Sequence, residues 1–586
     1  MTNTLYIPIA DGTTSLNGLI ALFINNWSGS KTQLAFVDQP SESDVFHIFI
    51  QSSLPATVDC DPALLTTLPF LVVAERDDVS RLTVSGLAAV SRHVIKESND
   101  PKVHKSLGFR GSCLQAPAEC SIWTSFCEVQ MIQSTTRFLK QPVTDTIEIP
   151  SSLVKLEKHL KQPIRMHNIV KRWQDEEPQP LVHLDEPKQE IQKLAAIRLN
   201  HAYAEGPDMT LADLLLFPCV MLLADRLLAL GITLGDHLPR VCRWLVAMKV
   251  LVGQAWNTTV NEQPLDMSFL SIRTQPSVKV PDVKEASLYK KDSSRAGLGN
   301  LKSEEATRVV DLLKEQMLWL EENEDKTGLV AKLPSSMINN IDITTCIEFT
   351  SRIDWSSLPD PVHPRQGHVP GSRLDRKVQQ LDGMAAAVID TVSRGDVVVD
   401  FCSGGGHLGI LLAYLLPFCH IIMIDNKEES VRHARQRVSQ LKLTNVTLIQ
   451  SNLDYFKGPF NIGVALHACG VATDLVLHTC LANQAAFVIC PCCYGNLAHP
   501  DLPIQYPQSQ LYTSRGVLAT DFSTLARMAD HVTDTGRLAM AAVDLDRIAI
   551  ASQASYNVIL KKLKPDLCSP KHDLLIGTPF KTNQNN

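Results

Sequence analysis

The residues best suited to chemistry begin with an acid that precedes a glycine-rich turn in the C-terminal half of the chain. Three valines lead into Asp400, and Gly404, Gly405 and Gly406 follow it, before an apolar run that continues to Leu415. Glycines let the backbone approach a ligand closely, and a helix start offers free N–H groups to it. The pattern therefore predicts a buried strand, a ligand-binding loop and a helix.

Polar side chains also lie at the ends of the next two predicted strands, and they indicate which cofactor the loop binds. Asp400 suits an ammonium group and would repel a pyrophosphate. Asp425 ends the second strand and can accept hydrogen bonds from both hydroxyls of a ribose. Asn452 and Leu453 follow the third strand and can contact the edge and the ring of an adenine. Together these residues favour S-adenosylmethionine over a dinucleotide as the cofactor.

Five apolar strands, separated mostly by helical segments, indicate a doubly wound and mostly parallel sheet. They are predicted at residues 397–401, 421–424, 446–449, 462–466 and 487–490. The whole pattern resembles the Rossmann-like methyltransferases that depend on S-adenosylmethionine, over about residues 373–580 of a predicted domain at 341–586. The resemblance implies that Asp400, Gly404 and Gly406 form the first cofactor motif and that Asp425 binds the ribose. Cys402 stands where that family often has its first glycine.

Candidate catalytic residues follow the fourth and fifth strands, whose ends should face the transferred methyl group. His467 is the predicted general base, because the pKa of an imidazole lies near working pH. Tyr494 is predicted to orient or stack on a planar substrate. The alternatives are a hydrogen-bonded structural histidine and a packed aromatic ring. Residues 543–547 are expected to add polar contacts.

The cysteines beside these residues admit three interpretations. Cys492 or Cys493 can act as a nucleophile on a pyrimidine ring, since thiolates do this chemistry. Together with Cys469, Cys490 and His467 they can also hold a metal, but adjacent cysteines lack the two-residue spacing of zinc knuckles. Small cysteines can equally pack beside the cofactor. Cys492 and Cys493 are kept as catalytic candidates, and no metal is predicted.

A group of basic residues precedes the first of the five strands. Arg373, Arg376 and Lys377 lie within about one helical turn. They can meet the carboxylate of the cofactor or a substrate phosphate, or form a solvated helix start.

The N-terminal half has a different pattern, with a small α/β region followed by mainly helical periodicity. Thr210 and Asp213 have the spacing of a capping box. This order of elements resembles glutathione S-transferases. The resemblance implies a thioredoxin-like domain at 1–110, a helical domain at 111–256 and a cis peptide before Pro69. The turn at 10–15 offers no clear equivalent of the residue that activates the thiol in that family.

The chain has 586 residues, 15 cysteines and a formal net charge of −7, so nucleic-acid binding would need a local basic patch. No secretory signal or membrane span is evident, and reduced cysteines indicate the cytoplasm, with the nucleus left open. Residues 257–340 are predicted to be a linker with one helix at 303–322. The predicted fold class is multidomain, α/β plus all-α, with a glutathione-transferase-like region before the Rossmann-like domain.

The sequence thus predicts a methyltransferase dependent on S-adenosylmethionine, and leaves RNA or protein open as the acceptor. One alternative is a non-catalytic scaffold that binds a protein partner through the N-terminal half. The other alternative is a glutathione-binding protein or glutathione transferase.

Overall fold

The computed structural model describes most of the chain, with gaps concentrated in its middle. The described residues are 2–10, 13–38, 48–49, 57–62, 65–74, 82–118, 121–164, 201–260, 276–285, 288, 324–325, 328–329, 341–342, 353–367, 369–498, 504–563, 565 and 568–580. The predicted helix at 303–322 lies outside them, as does most of the predicted linker. The chain divides into two compact units, residues 1–61, 66–74 and 84–294, and residues 62–65, 75–83 and 295–586.

The first unit begins with a strand, a helix and a second, parallel strand. β1 (Thr4–Ile9) pairs in parallel with β2 (Gln33–Asp38) and antiparallel with β3 (Phe70–Val73), and α1 (Leu16–Ser28) joins the parallel pair. A helical crossover is the usual way to connect neighbouring parallel strands. The Leu68–Pro69 peptide is cis, as the resemblance implies.

The segment after β3 forms a short strand before the next helix. Val84 lies in β4 (Leu82–Ser85), and α2 (Leu87–Lys96) begins only after Gly86, whose φ is +98°. A positive φ favours glycine, and this residue separates the strand from the helix.

The rest of the first unit is mainly helical. Its further helices are α3 (Pro101–Lys105), α4 (Ile122–Ser125), α5 (Met131–Lys140), α6 (Ser151–Lys161), α7 (Leu211–Ala229), α8 (Leu234–His237) and α9 (Pro239–Thr259). β5 (Thr146–Glu148) pairs in parallel with β6 (Ser277–Lys279). The capping box is confirmed, because Asp213 Oδ2 accepts a hydrogen bond from the Thr210 amide at 2.8 Å. A glutathione-transferase-like fold for this unit stays a prediction.

The described part of the second unit contains seven strands of five or more residues, with helices between most of them. Its strands are β7 (Val397–Phe401), β8 (His420–Asp425), β9 (Val446–Gln450), β10 (Ile462–Leu466), β11 (Ala486–Cys490), β12 (Tyr556–Lys562) and β13 (Asp573–Pro579). Its helices are α10 (Gly371–Thr391), α11 (His407–Leu415), α12 (Glu428–Leu441), α13 (Val471–Ala482), α14 (Gln510–Thr513), α15 (Ala519–Met528) and α16 (Asp534–Gln553).

In the chain as a whole, two-residue strands also lie at Thr13–Thr14, Ile48–Phe49, Glu324–Asp325, Gly328–Leu329 and Ile341–Asp342.

The seven strands lie in the order β9, β8, β7, β10, β11, β13, β12. The first five are parallel, and β13 is antiparallel to both β11 and β12. The predicted doubly wound α/β sheet is therefore confirmed in this unit. Side chains such as Val399, Phe401 and Phe487 are buried in its core. None of the helices in the described residues is long and apolar enough to cross a membrane.

Candidate functional site

The site lies at the carboxyl ends of β7, β8, β9, β10 and β11. The chain passes from β7 to β8 on one side and returns to β10 on the other, so β7 is the point where the strand order reverses. Ligands of open α/β sheets bind beyond the strand ends at such a point. All the sequence-predicted site residues follow one of these strands or end it.

The glycine-rich loop between β7 and α11 is fixed by backbone amides. The Gly404 N–H donates to Asp425 Oδ2 at 2.9 Å, and the Ser403 N–H donates to the Ile424 carbonyl at 2.9 Å. Gly406 has a φ of +75°, and a Cβ there would lie 3.0 Å from the Ala434 Cβ. Gly406 is therefore required both for its conformation and for the close approach of α12.

Cys402 adopts a φ of +57°, in the left-handed region that favours glycine. This conformation gives a physical reason for the frequent glycine at this place in the family that the loop resembles. Cysteine adopts it here at a cost of about 1–2 kcal/mol relative to a right-handed conformation.

Asp400 is buried below this loop. Its Oδ2 accepts a hydrogen bond from the Gly409 N–H at 2.8 Å, at the start of α11. Burial raises the pKa of this carboxyl to about 7, while the Gly409 amide and the charge of Lys377 act in the opposite direction. A cation beside this carboxyl, such as the predicted ammonium group of S-adenosylmethionine, would favour its charged form.

Asp425 ends β8 and links the loop to the next strand end. Its Oδ1 accepts from the Lys427 amide at 2.9 Å, and burial raises the pKa of this carboxyl. Its carbonyl accepts from the Ser451 amide at 3.0 Å, which brings the half-buried Asn452 beside it. Leu453 packs against the apolar core at the same edge. The four residues predicted to hold ribose, adenine and ammonium therefore lie at adjoining strand ends.

His467 follows β10 and has a φ of +72°, a conformation that is uncommon outside glycine. Its Nε2 lies 3.0 Å from Gln380 Oε1. Burial, with a contribution from the charge of Lys377, lowers the pKa of the imidazole to about 4. The ring is therefore neutral at physiological pH and can accept a proton, although it is a weak base.

Cys492 and Cys493 follow β11 and meet Cys469, which follows β10. The Cys469 and Cys492 sulfurs lie 3.0 Å apart, and those of Cys492 and Cys493 lie 3.6 Å apart. The hydrogen bond from Cys492 lowers the pKa of the Cys469 thiol to about 6. The pKa values of Cys492 and Cys493 are raised. The pKa is therefore lowered for Cys469, which was not a predicted nucleophile, and raised for the two cysteines that were.

Tyr494 lies in the protein interior, and its side chain is 0% exposed. Its hydroxyl donates to Asp544 Oδ2 at 2.7 Å, and Arg547 packs over its ring. Arg547 also binds both carboxylate oxygens of Asp474, at 2.7 and 3.0 Å. The residues expected to add contacts to a substrate, 543–547, are part of α16 and are largely buried. This position favours a structural role for Tyr494 over stacking on a substrate.

Two buried residues that were not among the predicted ones support the site. Gln380 on α10 binds His467, and Arg437 on α12 donates to the carbonyls of Gly405, Pro361 and Val362. Both side chains are buried. Neither stands out in the sequence, because each lies on a helix that also carries many exposed polar residues. Only their position in the fold identifies them.

The basic residues at the start of α10 lie in different environments. Arg373 and Arg376 are exposed, whereas Lys377 is half-buried. The charge of Lys377 acts on both Asp400 and His467, which places it near the cofactor acid and the candidate base.

Comparison with known proteins agrees with this geometry. A family model described as a methyltransferase domain matches residues 376–500, the part that contains the loop and all the predicted site residues. The chain therefore carries a Rossmann-like methyltransferase domain, and S-adenosylmethionine is its cofactor. A ribosomal RNA small subunit methyltransferase G of Chromohalobacter salexigens is 37% identical over 71 residues, 12% of this chain and 34% of that protein.

Two longer matches extend through the N-terminal half. A Drosophila melanogaster protein named glutathione S-transferase C-terminal domain-containing protein homolog is 34% identical over 559 residues, 91% of this chain and 87% of that protein. The human glutathione S-transferase C-terminal domain-containing protein is 31% identical over 596 residues, 89% of this chain and 87% of that protein. This chain belongs to the family of glutathione S-transferase C-terminal domain-containing proteins.

Proposed function

We propose that this protein transfers the methyl group of S-adenosylmethionine to an RNA. The observation that carries the proposal is the pair of acids at the reversal of strand order. Asp400 Oδ2 and Asp425 Oδ2 each accept a backbone N–H, from Gly409 and Gly404 respectively. These contacts hold both carboxylates in place, which supports Asp400 as the partner of the ammonium group and Asp425 as the partner of the ribose.

The chain's own residues have separate tasks in this proposal. Asp400 balances the ammonium charge, and Asp425 accepts hydrogen bonds from the ribose. When bound, the cofactor supplies an activated methyl group, so alignment of the acceptor is the main requirement. His467 has a neutral ring at the end of β10, next to β7, and can take the proton of a hydroxyl or amine acceptor.

Local charge supports RNA as the acceptor class. The chain is acidic overall, with a net charge of −7. The exposed Arg373 and Arg376 nevertheless start α10 beside Lys377, and the charge of Lys377 reaches Asp400 and His467. A basic group beside a cofactor site suits a phosphate backbone. One relative, matched over 71 residues of this chain, is named a ribosomal RNA small subunit methyltransferase.

Two measurements test the proposal. The first is calorimetric binding of S-adenosylmethionine to the wild type, to Asp400→Asn, and to a control, Asp534→Asn, whose carboxylate is 95% exposed. Asparagine keeps an oxygen that can accept from Gly409 but removes the charge. Binding weakened only in Asp400→Asn supports the proposed cofactor contact.

The second measurement identifies the acceptor. Lysate from cells that lack the protein is supplied with the pure protein and S-adenosylmethionine labelled in its methyl group. If nuclease removes the label and protease does not, the result supports RNA as the acceptor. Label that only protease removes would replace RNA by a protein acceptor. A protein that binds the cofactor and labels no fraction would instead support the scaffold hypothesis.

A further inference from the structure

Three cysteine side chains converge at the carboxyl ends of β10 and β11. The sulfurs of Cys469, Cys492 and Cys493 all lie within 4.8 Å of one another. The separation is 3.0 Å between Cys469 and Cys492 and 3.6 Å between Cys492 and Cys493. Cys469 is exposed and the other two are half-buried, so solvent and ions have access to the group.

Backbone hydrogen bonds hold the two loops that carry these cysteines. The His467 amide donates to the Cys490 carbonyl at 3.1 Å, and the Gly470 amide donates to the Cys493 carbonyl at 2.9 Å. The sulfurs therefore meet because the loops are joined on both sides of the cluster. The backbone of the two loops therefore determines that the three sulfurs lie close together.

The surroundings favour negative charge on the sulfurs. Cys469 lies directly before the N-cap of the 12-residue helix α13, whose N-terminus carries a partial positive charge. Thiolate is the form of cysteine that binds metals.

Three converging sulfurs match the donor set of a soft, four-coordinate metal ion. With Zn–S bonds of about 2.3 Å, tetrahedral zinc places two sulfurs about 3.8 Å apart. The Cys492–Cys493 separation of 3.6 Å is close to this value, whereas the Cys469–Cys492 separation of 3.0 Å is shorter and would have to widen as the ion binds. A disulfide between Cys469 and Cys492 would involve only two of the thiols and would not account for the position of Cys493 beside them.

We propose that Cys469, Cys492 and Cys493 form a binding site for one Zn²⁺ ion. Protons on the coordinating thiols pass to solvent as the Zn–S bonds form. Three protein ligands leave a fourth position for water or another oxygen, nitrogen or sulfur donor, as in zinc sites that are not purely structural. The site does not require the proposed methyl transfer to RNA, and it can be tested without it.

The two-loop origin of the ligands also explains why spacing along the sequence does not indicate this site. Zinc knuckles draw two ligands from one turn, with two residues between them. Here the adjacent Cys492 and Cys493 come from the loop after β11, and Cys469 comes from the loop after β10. The donor set becomes visible only when the two strands are paired.

Metal content of the full-length protein tests the proposal. The protein is purified under reducing conditions, incubated with Zn²⁺, dialysed and measured by plasma mass spectrometry. We expect one ion per chain in the wild type and in a control, Cys60→Ser, whose half-buried thiol lies outside the cluster. We expect loss of the ion in Cys469→Ser and in Cys492→Ser. When Co²⁺ replaces Zn²⁺, the wild type should show the strong visible absorption of tetrahedral cobalt–thiolate sites. Cys469→Ser and Cys492→Ser should not show it.

Circular dichroism verifies that each variant is folded, and Cys469→Ser is the safer substitution because that side chain is exposed. Folded, reduced wild-type protein that binds no zinc would overturn the proposal. Full zinc loading of both cluster variants would overturn it as well, since the ion would then lie elsewhere. A Cys469–Cys492 disulfide found by mass spectrometry in protein isolated without reductant would show a redox pair in place of a metal site.

Discussion

Gln380 fixes which nitrogen of the His467 ring carries the proton. Its amide nitrogen donates to the Cys568 carbonyl at 2.9 Å, so its Oε1 must face the imidazole Nε2, which lies 3.0 Å away. An amide oxygen only accepts hydrogen bonds, so Nε2 bears the hydrogen and Nδ1 keeps its lone pair. If His467 acts as a base, Nδ1 is the atom that takes the proton.

Replacing Gln380 by glutamate should make His467 a stronger base. A carboxylate beside the ring favours imidazolium, so we expect the pKa of His467 to rise by about 1–3 units from its value of about 4. NMR titration of the ring measures this change. Gln380→Met removes the acceptor without adding charge and should not raise the pKa. A wild-type ring that titrates near 6.5 would contradict the prediction.

Cofactor binding should depend on pH through Asp400. Because burial raises the pKa of this carboxyl to about 7, a large fraction is neutral at and below neutral pH in the free protein. An ammonium group favours the carboxylate, so S-adenosylmethionine should bind more weakly as pH falls from 8 to about 6. Calorimetry across this range should show that dependence, and Asp400→Asn should lose the part due to this group. An identical pH dependence in both proteins would contradict the assignment.

Gly409 should not tolerate a side chain, although its φ is not in the left-handed region. A Cβ there would lie 2.4 Å from Met423 Sδ and 3.0 Å from Asp400 Oδ2. We expect Gly409→Ala to lower the free energy of unfolding by about 1–3 kcal/mol, as overpacking does. Gly405→Ala is the matched control, since the contact closest to its Cβ is His407 Nε2 at 4.0 Å. Urea unfolding compares the two, and equal stabilities would show that Met423 moves aside freely.

The sequence predicts much of the methyltransferase domain because its central strands are continuous apolar runs between turn residues. Each of the strands β7 to β11 is predicted to within one residue at either end. The last two strands are not predicted, since β12 has a polar residue near its start and two lysines at its end, and β13 contains a glycine and ends in a proline. Gly577 in β13 shows the reason, because a Cβ there would lie 2.2 Å from the Phe487 ring. The close approach of the Phe487 ring requires a glycine at this position. In the sequence alone, however, a glycine argues against a strand.

The site was less predictable wherever contacts join distant parts of the chain. Strand ends bring Asp400, Asp425 and His467 to one edge, and the topology alone implies this. The direction of Tyr494 depends on Asp544, which lies 50 positions away on α16. No periodicity along the chain shows which helix covers that strand end, so the sequence could not indicate that Tyr494 is buried.

Tyr494→Phe should therefore change stability more than methyl transfer. The variant keeps the ring but removes the hydrogen bond to the buried Asp544, at a cost of about 1–3 kcal/mol. Tyr414→Phe, on a ring that is 40% exposed, should change stability by less than about 0.5 kcal/mol. Methyl-transfer rates are compared at temperatures where both variants are folded. A large loss of rate in Tyr494→Phe with unchanged stability would restore a catalytic role.

Arg437 should control how firmly the glycine-rich loop is held. Its guanidinium donates to the Gly405 carbonyl at 2.8 Å, and to the carbonyls of Pro361 and Val362 at 2.8 and 3.2 Å. Methionine preserves much of the side-chain volume but donates no hydrogen bond. We expect Arg437→Met to lower the free energy of unfolding by about 1–3 kcal/mol. We propose that this loop holds the cofactor, so its loosening should lower the affinity for S-adenosylmethionine about tenfold, or about 1.4 kcal/mol.

Two further variants separate this effect from the loss of a positive charge. Arg432→Met removes an exposed arginine from the same helix and should leave both quantities unchanged. Arg437→Lys keeps the charge but lacks the planar fork of donors that reaches three carbonyls, so its affinity should lie between those of the wild type and Arg437→Met. Calorimetry measures the three affinities. Wild-type affinity in Arg437→Lys together with a weakened Arg432→Met would mean that charge, and not the loop contacts, determines binding.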